Sequence, residues 1–223
     1  MTRRFPLAAL ALLVALALAA PAAVAQVKGI EITPTIGYRF SGSLSSGQQA
    51  LGYNIESIKV PNALSYGLSL EFPFHPNGNI EVLWSHQGSS IEVTGAVVGQ
   101  PYTTQKVADL KVDTIQAGGM WVSGRPRDTV RWYVDFLIGA TILSPSNSNL
   151  SSITRFSASL GGGAKIYASD NIGVKLGARF MPVYINSTDS GYYGCDPYWG
   201  CYTYYNTNYL NQFDLSAGLI IRF

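Results

Sequence analysis

Long apolar runs are absent from this 223-residue sequence beyond its first 25 residues, so no later segment can form a transmembrane helix of about 20 residues. An excess of one charge is also absent. Without those 25 residues the chain has thirteen basic and thirteen acidic residues, and this balance argues against a nucleic-acid-binding surface. Cysteine occurs only twice, which suits a single disulfide in an oxidising compartment.

Histidine is equally scarce, and its placement argues against catalysis. His75 lies in a predicted turn, and His86 lies at the upper end of a predicted strand. Ser85 points to the opposite face of that strand, so it cannot form a direct nucleophile–base couple with His86. The glycine-rich run at 161–165 lacks the spacing of a phosphate-binding loop. We therefore predict no enzymatic activity, no cofactor and no metal.

The first 25 residues have the features of a secretory signal peptide. Two arginines precede an apolar run at 7–20, and Ala23 and Ala25 form a small-x-small cleavage site. The alternative is a retained signal anchor. We predict cleavage after Ala25, which leaves one exported domain at 26–223. Such a chain is either a periplasmic β protein or an outer-membrane barrel.

Apolar and polar residues alternate along the whole of this domain, as expected for strands with two different faces. The predicted strands lie at 30–40, 64–74, from 80 onward, 107–121, 130–142, 155–166, 172–184 and 213–223. In the fourth predicted strand the apolar residues first fall on even positions, Leu110 and Val112, and then on an odd position, Ile115. This switch of face predicts a bulge. Pro34 and Pro182 interrupt two strands, and we expect a bulge or a rim position at each.

The charged residues distinguish a membrane barrel from a soluble one. In the first, second and fifth to eighth predicted strands, every charged residue lies on the polar parity. A Lys or Arg facing lipid costs about 2–4 kcal/mol at the bilayer midplane, so an uncharged outer face has a physical cause. The sequence thus predicts an all-β fold, an eight-stranded antiparallel up-and-down transmembrane β-barrel with an even strand count.

The connections predict the orientation of the barrel. Short links at 75–78, 122–129 and 168–171 alternate with longer ones at 41–63, 87–106, 143–152 and 185–211. Short periplasmic turns and long external loops are typical of outer-membrane barrels. Aromatic residues near the strand ends predict two interfacial girdles. They are Phe72, Phe74, Trp132 and Phe223 below, and Tyr38, Phe40, Phe156 and Tyr184 above.

The last strand carries a resemblance to a known group. Its pattern Ser216-x-Gly218-x-x-Ile221-x-Phe223 resembles the C-terminal signal by which bacterial outer-membrane proteins are recognised for assembly. With the eight-strand rhythm, the chain resembles the small eight-stranded outer-membrane β-barrel superfamily, the OmpA/OmpX/OmpW-like group with an outer membrane protein beta-barrel domain. The resemblance implies a monomer in the outer membrane of a Gram-negative bacterium, surrounded by lipid and inserted by the barrel assembly machinery.

Charged residues on the inner face predict an ion-pair network, because an eight-stranded barrel is just wide enough to be filled by side chains. Its predicted members are Glu31, Glu71, Glu81, Arg131, Asp135, Lys165, Lys175, Arg179, Asp214 and Arg222. Arg39, Lys111 and Arg155 are expected nearer the top of the same lumen. The network is interpreted either as a structural plug or as the lining of a narrow gated conduit.

The fourth external loop is unusually rich in tyrosine and contains both cysteines. Cys195 and Cys201 enclose a turn with Tyr198 and Trp199, and within a monomer these cysteines pair with each other or stay free. The rings either bind an extracellular ligand or pack over the barrel mouth. Two functions follow: a structural or surface-interaction protein, or a narrow porin-like channel for small or hydrophobic solutes.

We expect deletion of Phe223 to impair assembly more than final stability, because this residue ends the predicted assembly signal. In cells the truncated protein should accumulate as periplasmic aggregates, while denatured protein still refolds in detergent. Surface labelling of cells and refolding in detergent measure the two effects. Normal surface levels of the truncated protein would contradict the assignment.

Overall fold

The computed structural model describes residues 29–50, 53–97, 101–146, 152–184 and 209–223. These residues form ten strands: β1 (Glu31–Ser41), β2 (Ser43–Ala50), β3 (Tyr53–Lys59), β4 (Ala63–His75), β5 (Gly78–Val97), β6 (Thr103–Val122), β7 (Val130–Pro145), β8 (Ile153–Tyr167), β9 (Ile172–Tyr184) and β10 (Tyr209–Arg222). No helix in the described ranges is long and apolar enough to cross a membrane.

Eight of the ten strands close into a barrel. β1 and β4 to β10 pair with their neighbours in antiparallel fashion, and β10 returns to β1. The other two strands, β2 and β3, form a hairpin that pairs with the upper part of β5. The predicted eight-stranded antiparallel up-and-down barrel is confirmed. Its closure satisfies the edge N–H and C=O groups that lipid could not.

The strand register fixes the tilt and the width of the barrel. From Ser41, successive positions around the wall are Gln212, Met181, Ser159, Leu137, Gly118, Glu81, Glu71 and Glu31, where the step from Met181 to Ser159 follows the unchanged register on either side of a gap in the β8–β9 ladder. One circuit therefore returns to β1 ten residues from its start. With a rise of about 3.3 Å per residue and strands about 4.8 Å apart, the tilt is about 40°. A barrel of this size has an interior only wide enough for side chains.

The outer wall of the barrel is apolar. Trp132, Phe136 and Leu215, for example, are 64%, 57% and 46% exposed. Exposure of so many large apolar side chains is favourable only when lipid surrounds them. The predicted girdle residues all lie on this outer face: Phe72, Phe74, Trp132, Phe223, Tyr38, Phe40, Phe156 and Tyr184. The uncharged outer face predicted for six of the strands is present as well.

Short turns close the periplasmic end at the predicted places, 76–77, 123–129 and 168–171. The first two turns are joined by Asn77, whose Nδ2 donates to the carbonyl oxygens of Val122 at 2.6 Å and Gly124 at 2.9 Å. Gly124 has a φ of 78°, a left-handed conformation that side chains other than glycine rarely adopt. The longer second connection is thus tied to the first turn by two hydrogen bonds.

The extent of two external loops was predicted wrongly. Strands β5 and β6 each have 20 residues, whereas about 9–11 residues cross a bilayer. Most of the predicted loop at 87–106 is therefore a hairpin that continues roughly 30 Å beyond the barrel wall. The predicted loop at 41–63 contains β2 and β3. Together these four strand segments form an extracellular sheet.

The bulge predicted between Val112 and Ile115 is absent. The register of β6 with β7 is continuous from Leu110 to Val122, and the shift against β5 lies higher, at Val107. Leu110 and Val112 are buried because they point into the lumen. Their parity differs from that of Ile115 because the top of the lumen is itself apolar.

The two strand prolines do not cause bulges. At Pro34 the ladder between β1 and β10 is interrupted between Ile32 and Thr35, yet the register on both sides is the same. Pro182 interrupts the β8–β9 ladder in the same manner. Each proline removes a ladder donor without adding a residue. Only Pro182 lies near a rim, two residues before the end of β9.

The close packing of the lumen predicts different tolerances for two strand glycines. A Cβ on Gly177 would lie 2.3 Å from the Tyr133 hydroxyl oxygen, whereas a Cβ on the outward Gly119 would meet no atom within 4 Å. We expect Gly177→Ala to destabilise the barrel by about 1–3 kcal/mol and Gly119→Ala to be neutral or slightly stabilising. Urea unfolding in lipid vesicles, followed by tryptophan fluorescence, measures both. Equal effects would show that the lumen repacks freely.

Candidate functional site

A continuous chain of ion pairs crosses the lower half of the lumen. It runs through Arg222, Glu31, Lys165, Glu71, Lys175, Glu81, Arg179 and Asp135. Cations and carboxylates alternate throughout, so each interior member has an opposite charge on both sides. These residues come from every barrel strand except β6. The chain of ion pairs therefore links seven of the eight barrel strands.

The geometry of the chain is that of charge-assisted hydrogen bonds. Lys175 Nζ lies 2.9 Å from both Glu71 Oε1 and Glu81 Oε1, and Lys165 Nζ lies 2.8 Å from Glu31 Oε2 and also pairs with Glu71. Arg222 Nη2 lies 2.6 Å from Glu31 Oε1 at the periplasmic end. Glu71 and Glu81 are fully buried, so these contacts replace the water that a free carboxylate would need.

Neutral side chains complete the hydrogen bonding of the carboxylates. Ser69 Oγ donates to Glu81 at 2.6 Å, Asn79 Nδ2 donates to Glu71 at 2.9 Å, and the Tyr167 hydroxyl donates to Glu31 at 2.9 Å. Two rings shield the cations as well: Lys175 Nζ lies 4.9 Å from the centre of the Tyr133 ring, and the Arg222 guanidinium lies 4.1 Å from that of Tyr167. Most of the charged groups in the lower lumen are thereby paired, although Asp135 Oδ2 and Arg179 Nε have no hydrogen-bond partner among the described residues.

A second ion pair lies above the chain. Arg39 Nε is 3.1 Å from Asp214 Oδ2, which also accepts a hydrogen bond from Ser65 Oγ at 2.7 Å. Arg39 Nη2 donates to Ser85 Oγ at 2.8 Å. Arg39 was not among the predicted network residues. The missing information was the pairing of β1 with β10, which places Arg39 directly opposite Asp214.

Arg131 does not join the network. It forms no ion pair within the described part of the chain, and donates instead to the carbonyl oxygens of Ser123 at 3.1 Å and Pro76 at 2.9 Å. Its role is to join two periplasmic turns, because it lies at the lower end of β7. Lys111 is also misplaced in the prediction: it lies on the outer face of β6 and is exposed.

The upper lumen is closed by uncharged and then by apolar side chains. Gln116 bonds to Ser157 and Ser159 at 3.0 and 2.8 Å, and the Thr114 and Thr141 hydroxyls are 3.1 Å apart. Above them is an apolar layer of residues that are at most 3% exposed: Leu110, Val112, Leu143, Val183 and Leu210. The lumen therefore contains two barriers in series, the ion-pair chain below and this layer above.

One small cavity separates the two barriers. It has a volume of about 30 Å³ and is lined by side chains that include Arg39, Ser85, Lys175 and Arg179. Larger recesses of about 420 Å³ at the periplasmic mouth and about 480 Å³ beside upper β5 and β6 share no lining residue with it. The small cavity is large enough for a water molecule or an ion of similar radius.

An outward polar cluster was also missed by sequence reasoning. His86 Nδ1 lies 2.8 Å from Asp113 Oδ1, and the His86 ring lies 4.9 Å from the ring of Tyr66. These residues face outward at the level of the upper girdle, whereas Ser85 faces the lumen as predicted. No group of three potential metal-binding side chains occurs among the described residues.

Other predicted site residues fall into two groups. Ser216, Gly218, Ile221 and Phe223 lie at the C-terminal end of the chain, in β10 or directly after it, and their role in assembly stays a prediction. Cys195, Cys201, Tyr198 and Trp199 lie outside the described residues.

Comparison with known proteins gives the family and the fold. A family model for an outer membrane protein beta-barrel domain matches residues 8–223. Neisserial surface protein A has a TM-score of 0.58 at 13% identity, over 87% of this chain and 97% of that one. OprG from Pseudomonas aeruginosa has a TM-score of 0.52 at 12% identity, over 88% and 97%. No curated protein sequence matches the chain. The structural likenesses, at these identities, concern the fold alone.

The ion-pair chain predicts a large difference between two interior cations. Lys175→Met deprives both Glu71 and Glu81 of a partner, and we expect a loss of about 3–5 kcal/mol. Arg131→Met, which removes only bonds to carbonyl groups, should cost less, about 1–3 kcal/mol. Unfolding free energies in vesicles test this.

The double variant Lys175→Met/Glu81→Gln should be less destabilised than the sum of its single variants, because the two groups contact each other. Strict additivity in this cycle would mean that the lumen charges are hydrated separately and do not form a network.

Proposed function

The chain belongs to the outer membrane protein beta-barrel domain family, and we propose that it is a non-enzymatic barrel that displays its extracellular strands and loops for contacts at the cell surface. The observation that carries this proposal is the closed lumen. A side-chain-filled barrel has no route for solutes, so the accessible chemistry of the protein lies on its outer wall and its external face.

Two barriers support a closed barrel. The lower one consists of eight alternating charges that hold one another, and a solute could pass only if several of these ion pairs separated together. The upper one is the layer around Val112 and Leu143, which is mostly apolar and includes one buried amide side chain, that of Gln87 opposite Val112. The cavity of about 30 Å³ between them accommodates little more than a water molecule.

The extracellular sheet supports the display role. Upper β5 and β6 extend past the barrel wall and pair with each other, and upper β5 also pairs with β3 of the β2–β3 hairpin. Within the described residues β6 pairs with β7 only from Leu110 downward, so on this side its upper part has no partner strand among them. All residues at 101–106 are exposed. Exposed edge strands and loops are the parts of a barrel that partners can reach.

The same proposal includes the partners of the protein in the outer membrane and its route to that membrane. Outer-membrane lipid contacts the apolar wall, the barrel assembly machinery recognises the C-terminal signal ending at Phe223, and the barrel functions as a monomer. The chain enters this route by means of the predicted signal peptide at 1–25.

The second candidate is a narrow channel for small or hydrophobic solutes. The observation that favours it is the polar cavity at the centre of the lumen, because ion pairs beside a cavity have room to change partners. In this case the network would act as a gate rather than as a plug.

Conductance in planar bilayers separates the two candidates. We expect no stable channel for the unmodified protein, because its two barriers block the lumen in series. The variant Leu110→Ser/Leu143→Ser, which makes two of the five residues of the apolar layer polar, should also remain closed, since the ion-pair chain persists. Stable unitary currents from the unmodified protein would instead favour the channel.

The fourth external loop provides a separate test of surface recognition. We propose that Cys195 and Cys201 form a disulfide that presents Tyr198 and Trp199, with a stabilisation of roughly 2–3 kcal/mol on the chain-entropy model. Mass spectrometry after alkylation without reduction should find no modified cysteine. Two modified cysteines would exclude the disulfide.

The variant Tyr198→Ser/Trp199→Ser should lose binding to immobilised glycans or matrix proteins while the barrel still folds. Tyr102→Ser, on the exposed segment between β5 and β6, is a matched control for removal of an external aromatic ring. A loss of barrel stability without loss of binding would show that the loop-four rings are packing residues.

A further inference from the structure

The recess of about 420 Å³ at the periplasmic mouth reaches both faces of the barrel wall. Arg131 and Arg222 line it from the lumen side, and Phe74 lines it from the outer face. Phe74 belongs to the lower aromatic girdle and is 69% exposed. Because such girdles lie at the level of the lipid headgroups, the recess is adjacent to the headgroups of the periplasmic leaflet.

The charged side chains that line this recess are two guanidinium groups and one carboxylate, that of Glu31. Glu31 is already engaged, because it accepts hydrogen bonds from Lys165 at 2.8 Å, Tyr167 at 2.9 Å and Arg222 Nη2 at 2.6 Å. Its negative charge is thus used within the ion-pair chain, and the charge of Arg222 is compensated in the same contact.

Arg131 has no such compensation among the described residues. Its Nε and Nη2 donate only to the carbonyl oxygens of Ser123 and Pro76, and its Nη1 has no acceptor there. Carbonyl groups fix the guanidinium plane without neutralising its charge. A guanidinium group that is held in one orientation and lacks a carboxylate is well suited to a phosphate oxygen, because its N–H groups match the geometry of that anion.

The neighbouring turn adds positive charge to the rim of the recess. Pro126 lines the recess, and it lies between Arg125 and Arg127, which are both exposed. Asp128 is the single carboxylate of the turn at 123–129, and its Oδ2 accepts from the backbone N–H of Arg125 at 2.7 Å. Cations near a membrane surface attract anionic lipids.

The walls of the recess suit a ligand that also has an apolar part. Pro73, Pro76 and Pro126 contribute apolar ring surface beside Phe74. Gly29 keeps the space between two of the walls open, since a Cβ there would lie 3.6 Å from Pro73 Cγ and 3.9 Å from Arg222 Cδ. A free inorganic anion would use only the cations of this site, whereas a lipid would also contact its apolar walls.

We propose that the recess binds the phosphate headgroup of an anionic phospholipid from the periplasmic leaflet. Arg131 is the principal contact of the phosphate, and Arg222 lies beside it. The glycerol part of the lipid contacts the proline walls, and its acyl chains pass Phe74 to reach the outer wall of the barrel. The bound lipid holds the lower rim of the barrel at a fixed depth in the membrane.

Arginine side-chain NMR of the unmodified protein in lipid nanodiscs tests the contact directly. The Nε–Hε signal of Arg131, assigned by its loss in Arg131→Met, should shift saturably as phosphatidylglycerol replaces phosphatidylcholine. The signal of Arg179, which lies deeper in the lumen, should not shift. An unchanged Arg131 signal would overturn the proposal. An equal shift produced by inorganic phosphate in pure phosphatidylcholine nanodiscs would also overturn it, because the site would then bind a soluble anion.

Native mass spectrometry provides an independent measurement on protein released from nanodiscs that contain both lipids. The unmodified protein should retain phosphatidylglycerol, and Arg131→Met should retain about tenfold less, as expected for the loss of a charge-assisted hydrogen bond. Lys111→Met is a matched control, because it removes an exposed cation from the upper outer face and should leave retention unchanged. Equal retention by the unmodified protein and folded Arg131→Met would contradict the proposed site.

Discussion

The closure of the ladder between β1 and β10 is the constraint on which the rest of the structure depends. Inside a bilayer no water satisfies the N–H and C=O groups of an open edge, so the sheet must return to its first strand. It does so with a displacement of ten residues, which fixes the tilt at about 40° and leaves a narrow interior. A narrow interior brings its charged side chains into contact, and the ion-pair chain is the result.

Much of this fold could be predicted from the sequence because lipid constrains the outer face so strongly. The alternation and the placement of charges were sufficient for eight strands and three periplasmic turns. The same argument failed above the membrane. There β5 continues up to Val97 and β6 begins at Thr103, and water contacts the outer face of both strands, so alternation of apolar residues is no longer required. It failed again at Leu110 and Val112. These apolar side chains point into the lumen, whereas the argument assigns apolar side chains to the lipid face.

The interior was predictable as a set of residues but not as a set of pairs. Alternation assigns Glu31, Lys165 and Arg39 to the lumen, and it needs only local sequence. Which cation meets which carboxylate depends on the register of strands far apart in the chain; Arg39 and Asp214, for example, are separated by 175 positions. No local pattern encodes the ten-residue displacement, so Arg131 was assigned to the network and Arg39 was omitted.

The interruption at Pro34 has a consequence for the chain before it closes. Until β10 arrives, β1 is the exposed border of an incomplete sheet, and such borders readily pair with other unfolded chains. The gap in the finished ladder lies on this side of β1, between Ile32 and Thr35, while the pairing of Pro34 with Leu68 of β4 is intact. A missing donor at this seam weakens pairing with any foreign strand that attempts to occupy it. The finished barrel contains a short gap in the β1–β10 ladder. The same gap makes the unclosed sheet less prone to aggregate through the edge of β1.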